Sequence, residues 1–528
     1  MTAQVLRAVA YIGLAWVWVQ PSTETVAGGA RGDVWNSMWS LWFSHREISQ
    51  GGWPWATDLL NAPAGGGGLL LDPLMVVFSP FAVPVLGVSG AYTALMLLRL
   101  AASGWVAHSF AAEWLAHNGL TPDAAQRAGW VAGVGYASAP VLLAGLQCGT
   151  TEAVTGAWPA LAAWMCWRAS IHGGRRPSVM AGLALLGAAL ASWYAVVVAF
   201  IFGGLLLVLS PGKRNLWPLV LGLCLTLPLA ALAQASHSDA GQLMARSPDL
   251  LDRIRRTFGS ADLLDFVWPL GQANLAIQSP AEQGTGYLHT VYLGIFLVLG
   301  AVTALLRRTP GSAAIALAGG VCAILALGPT LKFGGQTVLG WMPFALLESL
   351  PGFGGLSLLW RLGLGTGLAV ALLAAAATRG HRAAVLAAVG LVLAEVALFS
   401  PISPGIARSE VAPAPALQAL QGAPRGAVLT VPAFQHHADL WRQAQHGQPT
   451  TGTTHHRRSP AAIQWLQAAR DQSLSKIQAT AEAQGIRYLL IHKGTTLRQN
   501  PNRPVVQTIK AGLTPLAEDE TYTVYALW

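Results

Sequence analysis

Residues 91–113 read AYTALMLLRLAASGWVAHSFAAE, an apolar run interrupted at its centre by one fixed charge, Arg99. Wound as a helix at 1.5 Å per residue, the run measures about 34 Å, enough to cross a hydrocarbon core of about 30 Å. About ten further runs approach that length, near 5–20, 128–146, 153–169, 177–192, 194–210, 215–235, 289–306, 311–329, 361–378 and 383–402. Composition agrees: 53% of the 528 residues are hydrophobic and 10% charged, against roughly 25% charged in a soluble domain. This argues against a soluble enzyme and excludes the disordered, collagen-like and disulfide-scaffold classes. Cys148, Cys166, Cys224 and Cys322 all lie in or beside apolar runs, so no redox framework is indicated.

The net charge of +9 reads as topology. With a cytoplasmic amino terminus, alternation puts Arg127, Arg168/Arg175/Arg176, Lys213/Arg214, Arg307/Arg308 and Arg379/Arg382 on the cytoplasmic side, as the positive-inside rule requires. Most acids before residue 402 then face outward, among them Asp33, Asp58, Asp72, Glu152, Glu282 and Glu348. Nucleic-acid binding is the weaker explanation of the basic excess. Residues 5–20 read as a first spanning helix rather than a signal peptide, because the flank has one Arg and no clean small-residue cleavage site. Pro73–Leu86 is apolar but short and carries Pro73, Pro80 and Pro84, which predicts a re-entrant or interfacial segment. Long outer loops are expected at 21–90, 236–288 and 330–360.

Beyond Pro401 the character changes, because 19 of the 55 charged residues fall in the last 126. The expected division is a polytopic helical domain over 1–402 and a small outer-face α/β domain over 403–528. Strands are expected at Ala427–Val431, Arg487–His492 and Tyr522–Leu527, with helix between 460 and 484.

Asp33 heads the first outer loop, before a Trp-rich amphipathic segment, and reads either as a general base or as a solvated loop acid. Glu152, in the short outer turn Gln147–Glu152, is a second acid for acid/base or cation duty, or a first-turn helix acid favoured by the dipole. Arg361 and Lys332 are outer-face cations suited to phosphate, while a snorkelling anchor or a Glu348 partner is the plainer reading of Arg361. Arg99 is the costly intramembrane charge, functional or paired with an acidic neighbour. Asp58, Asp72 and His289 are further outer-loop candidates. His436, His437, His446, His455 and His456 cluster in the tail, but their spacing fits no zinc pattern. Nucleophile-elbow, zinc-protease, Walker and dinucleotide motifs are all missing from the sequence.

The layout resembles the GT-C class of integral membrane glycosyltransferases, and within it a bacterial subgroup with a carboxyl-terminal outer domain. The resemblance is carried by Gly32-Asp33 with Trp39–Trp42, Asn61–Gly65 leading to Asp72-Pro73-Leu74, Ala261–Asp265, Ala326–Leu331, and Leu350–Phe353 with Arg361. In the tail it is carried by Leu429–Pro432, His446-Gly447 and Arg487–Leu490. It implies a GT-C-like bundle of about eleven spans in a bacterial cytoplasmic membrane, with the terminal domain outside. It also implies inverting transfer of a sugar from a polyprenyl-phosphate donor to a glycan, lipid or protein acceptor. Asp33 is then the base, Glu152 the second acid beside a divalent cation if one is used, and Arg361, with Lys332 or Arg99, the phosphate contact. One departure is Asp72-Pro73-Leu74, which stands where some relatives carry a Lys-Pro-Pro-like motif. Two other readings remain. One is a non-catalytic export or assembly component on a degenerate scaffold; the other is an ion-coupled transporter using Arg99, His108 and Glu395.

Overall fold

The computed structural model describes residues 3–30, 32–67, 72–210, 216–238, 248–268, 288–350, 353–402, 405–431, 438–452, 460–470, 472–493 and 503–528. The expectations that fall on Arg31, Lys213, Arg214, Glu282, Pro351, Gly352, Pro432, His436, His437, His455 and His456 lie outside these residues.

The chain is mostly helical, and each of the eleven apolar runs carries a helix. Among the described residues, however, only four helical segments are both long and apolar enough to cross a membrane: Pro73–His117, Pro122–Cys148, Leu359–Thr378 and Arg382–Phe399. The other apolar helices, such as Trp193–Leu209 and Ile295–Leu306, are shorter. One shortfall has a visible cause. The run at 289–306 stays non-helical until Gly294, which adopts φ +84°, and the helix starts at Ile295. The Ile295 and Phe296 amides donate to the Glu395 carboxylate at 2.6 and 3.3 Å, and the Tyr292 hydroxyl donates to it as well. Glu395, a candidate transport acid by sequence, is thus the cap of a neighbouring helix.

In chain order the first elements are α1 (Ala3–Val19), β1 (Thr25–Ala27), α2 (Val34–Ser49), α3 (Pro73–His117), α4 (Pro122–Ala137) and α5 (Pro140–Cys148). Helix α3 is not one rod. Asp72, which caps its start, is ion-paired with Arg99 at 2.5 Å, although the two lie 27 residues apart. In a straight helix that separation would span about 40 Å. The chain therefore doubles back at Gly87, where φ is +67° and ψ 175°. Pro73–Leu86 is the short leg of a helical hairpin. It buries Met75, Val76, Ala82 and Val83 and exposes Val77, Phe81, Val85 and Leu86, the geometry of a segment that enters and returns.

The Trp-rich stretch read as loop is helix α2, which buries Trp35, Met38, Trp39 and Phe43 between α3 and the tail helix Ala438–His446. The tail forms a four-stranded sheet, with β5 (Ala427–Val431) parallel to β6 (Ile486–His492), followed by antiparallel β8 (Tyr522–Ala526) and β7 (Ala517–Glu518). Alternate side chains go to opposite faces. Leu429, Leu489 and Ile491 pack on helices Pro460–Ala468 and Leu474–Ala483, whereas Val428, Tyr488 and Leu490 pack on Leu417 and Leu420. Sequence reading missed how tightly this tail holds the segments on either side of α2. Strand β1 pairs with β4 (Arg408–Glu410). The Thr450 amide donates to the Leu59 carbonyl at 2.8 Å, and Trp39 Nε1 donates to Gln443 Oε1 at 2.6 Å.

Trp39→Phe keeps a benzene ring but deletes the fused pyrrole of a fully buried indole and orphans the Gln443 oxygen, which alone costs about 1–3 kcal/mol, with a cavity term added to it. Thermal unfolding and limited proteolysis should show the tail loosening first; an unchanged melt would mean that the indole bond contributes nothing.

Candidate functional site

The turn between α5 and α6 (Ala157–His172) organises the charged residues that the sequence singles out. Helix α5 ends at Gly149 in the left-handed conformation, with φ +71°. A Cβ there would stand 2.5 Å from Val34 Cβ and 2.7 Å from Val34 N. Gly32 lies equally close, because its Cβ would strike the Cys148 carbonyl. Two glycines therefore let the segment leading into α2 touch the turn after α5 through backbone alone. The Asp33 amide donates to the Cys148 carbonyl at 2.7 Å, the Gly29 amide to Gln147 at 2.8 Å, and the Ser37 hydroxyl to Gly149 at 2.9 Å.

Three successive residues of the turn then each hold a different charged partner. Thr150 Oγ1 donates to Asp33 Oδ2 at 3.1 Å. The Thr151 carbonyl accepts from Arg99. The Glu152 carboxylate accepts from Arg361. Arg99 and Arg361 are 8% and 5% exposed, and a guanidinium, which is always charged, is costly at such depth without an anion beside it. Asp72 serves Arg99 and also accepts the Leu74 and Met75 amides at 3.1 and 3.2 Å.

Asp33 is half-buried and at the N-cap position of α2, yet its side chain makes no capping bond. It lies within electrostatic reach of Arg361, His289 and Cys148. Arg361 sits over the Tyr194 and Trp360 rings at 5.1 and 5.7 Å, a cation held by aromatic faces. His289 is sandwiched between Phe258 and Trp360, with ring centroids 5.5 and 5.2 Å away. Burial, with Arg361 adding to it, pushes its imidazole down to about 3, so it is neutral at working pH.

The structure thus brings Asp33, Glu152, Arg361, Arg99, Asp72 and His289 together and leaves two candidates elsewhere. Asp58 pairs with Arg425 on the surface. Lys332 donates to the Thr257 and Ser260 carbonyls, the latter at 2.8 Å, and so pins its own loop. Glu348 meets Arg255 and Arg256 rather than Arg361. His446 is buried, and its Nδ1 accepts the Gln448 amide at 3.0 Å, an internal structural bond. Among the described residues no three His, Cys, Asp or Glu side chains gather as a cation cage. Residues missed by sequence reading are Thr150, Tyr194 and Trp360; the glycines at 32 and 149 were the available signal for the loop contact.

Beside this site, Lys332 packs near Asp265 and Asp262, on strand β2 (Leu331–Phe333) of a hairpin closed by β3 (Gln336–Leu339). The Asp262 carboxylate accepts the Gly334 and Gly335 amides at 3.1 and 2.7 Å. Burial pushes the Asp265 carboxyl up to about 7, and it pushes the Lys332 amine down to about 8.

No protein-family model and no curated protein matches the chain. In overall shape it is similar to the archaeal oligosaccharyltransferase AglB from Archaeoglobus fulgidus in complex with an inhibitory peptide and a dolichol-phosphate. The identity is 13% and the TM-score 0.46, covering 93% of this chain and 69% of that one. The apo form of the A. fulgidus oligosaccharyltransferase aligns over the same shares at 12% identity and TM-score 0.46. The form tethered to an acceptor peptide containing the NVT sequon does so at 13% and 0.43.

Two outcomes are expected. Gly149→Ala forces a side chain into the backbone contact and costs about 2–4 kcal/mol, read as a lowered melting temperature; a wild-type melt would refute the close approach. Asp265 is raised from 3.8 to about 7 on folding, so its contribution is full below pH 4 and is lost as pH rises to 7. At about 1.4 kcal/mol per unit the loss is on the order of 4 kcal/mol. Asp265→Asn should flatten that fall in melting temperature between pH 4 and 8, and an undiminished fall would assign it elsewhere.

Proposed function

We propose that the protein transfers a sugar from a polyprenyl-phosphate donor to an acceptor hydroxyl or amide on the outer face of the membrane. The observation that carries this reading is the pairing of a half-buried carboxylate, Asp33, with a buried guanidinium, Arg361, on either side of the Thr150–Glu152 turn. In the proposed step Asp33 takes the acceptor proton, and the acceptor atom forms a bond to the anomeric carbon. The bond from that carbon to the phosphate oxygen breaks, and its electron pair leaves with the polyprenyl phosphate, inverting the sugar centre. Arg361 stabilises the charge that builds on the leaving phosphate, as a buried, preorganised donor does. Arg99 supports the turn from below through Thr151 and Asp72. The apolar lining of the hairpin Pro73–Leu86 offers a lipid-side approach for the prenyl chain. No cation is required in this scheme; if one is used, Glu152 is the side chain nearest to hand.

A second reading keeps the same scaffold without catalysis, because both buried arginines already have carboxylate partners. The two separate on one variant. Asp33→Asn removes the base while preserving shape, so transfer by purified protein in nanodiscs should fall by about 10²- to 10⁴-fold with the melting temperature unchanged. Full activity in Asp33→Asn would overturn the assigned base, and no transfer by the wild type with any lipid-linked sugar would favour the scaffold.

A further inference from the structure

The Arg361–Glu152 ion pair is asymmetric. The Arg361 side chain is 6% exposed, whereas that of Glu152 is 40% exposed. The cation is fixed between Tyr194 and Trp360, and the anion is open to solvent. Only Nη1 of the guanidinium meets Glu152, and among the described residues the buried Arg361 Nε and the adjacent buried Trp360 Nε1 have no hydrogen-bond acceptor. Buried donors are normally satisfied, so two orphans side by side mark a seat built for more acceptor oxygen than one carboxylate supplies. A phosphate supplies it, as a tetrahedral anion with several oxygens for a guanidinium fork. The neighbours of Glu152 on the turn are committed, Thr150 to Asp33 and the Thr151 carbonyl to Arg99. The exposed Glu152 side chain can therefore swing away without dismantling either contact.

We infer that Glu152 is a built-in anion that occupies the phosphate seat on Arg361 until the phosphate of a lipid-linked ligand displaces it. The inference rests on the donor reading above and adds an order to it. Arg361 always keeps an anion, so exchange avoids exposing an unpaired buried charge. An internal competitor weakens the apparent affinity by the fraction of time it holds the seat.

The test is binding of farnesyl monophosphate, and separately of inorganic phosphate, to the full-length protein in nanodiscs. Glu152→Gln should bind farnesyl monophosphate at least tenfold tighter than wild type. Glu152→Asp, which keeps the charge on a shorter stem, should lie between them, and Arg361→Ala should bind in no background. Equal or weaker binding by both Glu152 variants, with Arg361-dependent binding by the wild type, overturns the displacement and leaves the donor reading standing. No binding by wild type or by either Glu152 variant overturns the donor reading together with the displacement. Tightening seen with inorganic phosphate but not with farnesyl monophosphate upholds the displacement and refutes the lipid as its source.

Discussion

A buried arginine must have an anion, and two of them within one turn's reach dictate how this end of the helical bundle is assembled. Arg99 and Arg361 come from helices far apart in the chain, and their anchors, the Thr151 carbonyl and the Glu152 carboxylate, are consecutive residues. Removing Glu152 would leave the Arg361 charge stranded between Trp360 and Tyr194, and removing Asp72 would do the same to Arg99. The helix starts at Asp72 and Leu359 are consequently tied to the turn, and through Thr150 the first outer loop is tied to it as well. Position of the acid and neutralisation of the cations are one problem with one solution.

Much of the helical framework was legible because a long apolar run has few alternatives to helix. What the runs could not reveal was where backbone breaks fall. Gly294 ends the non-helical stretch before Ile295 and Pro140 restarts a helix after Ser138 and Ala139, whereas the break at Gly87 falls where the short, proline-rich run ending at Leu86 had placed it. Each break depends on a partner elsewhere: Glu395 caps the first, Trp18 reaches Ser138 at the second, and Arg99 meets Asp72 across the third. Helix α2 was overlooked for a related reason. The stretch read as an amphipathic segment of the loop, and what no local signal gave was that its tryptophans face both the bundle and the tail.

The site was legible as a roster but not as a set of pairs. Asp33, Glu152, Arg99 and Arg361 stand out by type and position, yet Glu152 and Arg361 are 209 residues apart and nothing local links them. Glu348, much nearer to Arg361 in sequence, is drawn instead to the basic helix Pro248–Arg256. Lys332 illustrates the opposite limit. A lysine at the head of an outer loop resembles a ligand contact by position, but its ammonium is consumed by carbonyls that the turn at Thr257–Ser260 leaves without helix partners.

These pairings also fix the electrostatic character of the site. Arg99 with Asp72 and Arg361 with Glu152 cancel pairwise, while Asp33 accepts from the neutral Thr150 hydroxyl. A hydroxyl donor orients a carboxylate without lowering its basicity as far as a guanidinium would. Had Asp33 taken Arg361 directly, the acid would be a poor base and the cation a poor phosphate contact. Interposing the Thr150–Glu152 turn keeps the two apart, with Glu152 holding the cation and Thr150 holding the acid, so that each retains the property its proposed role needs.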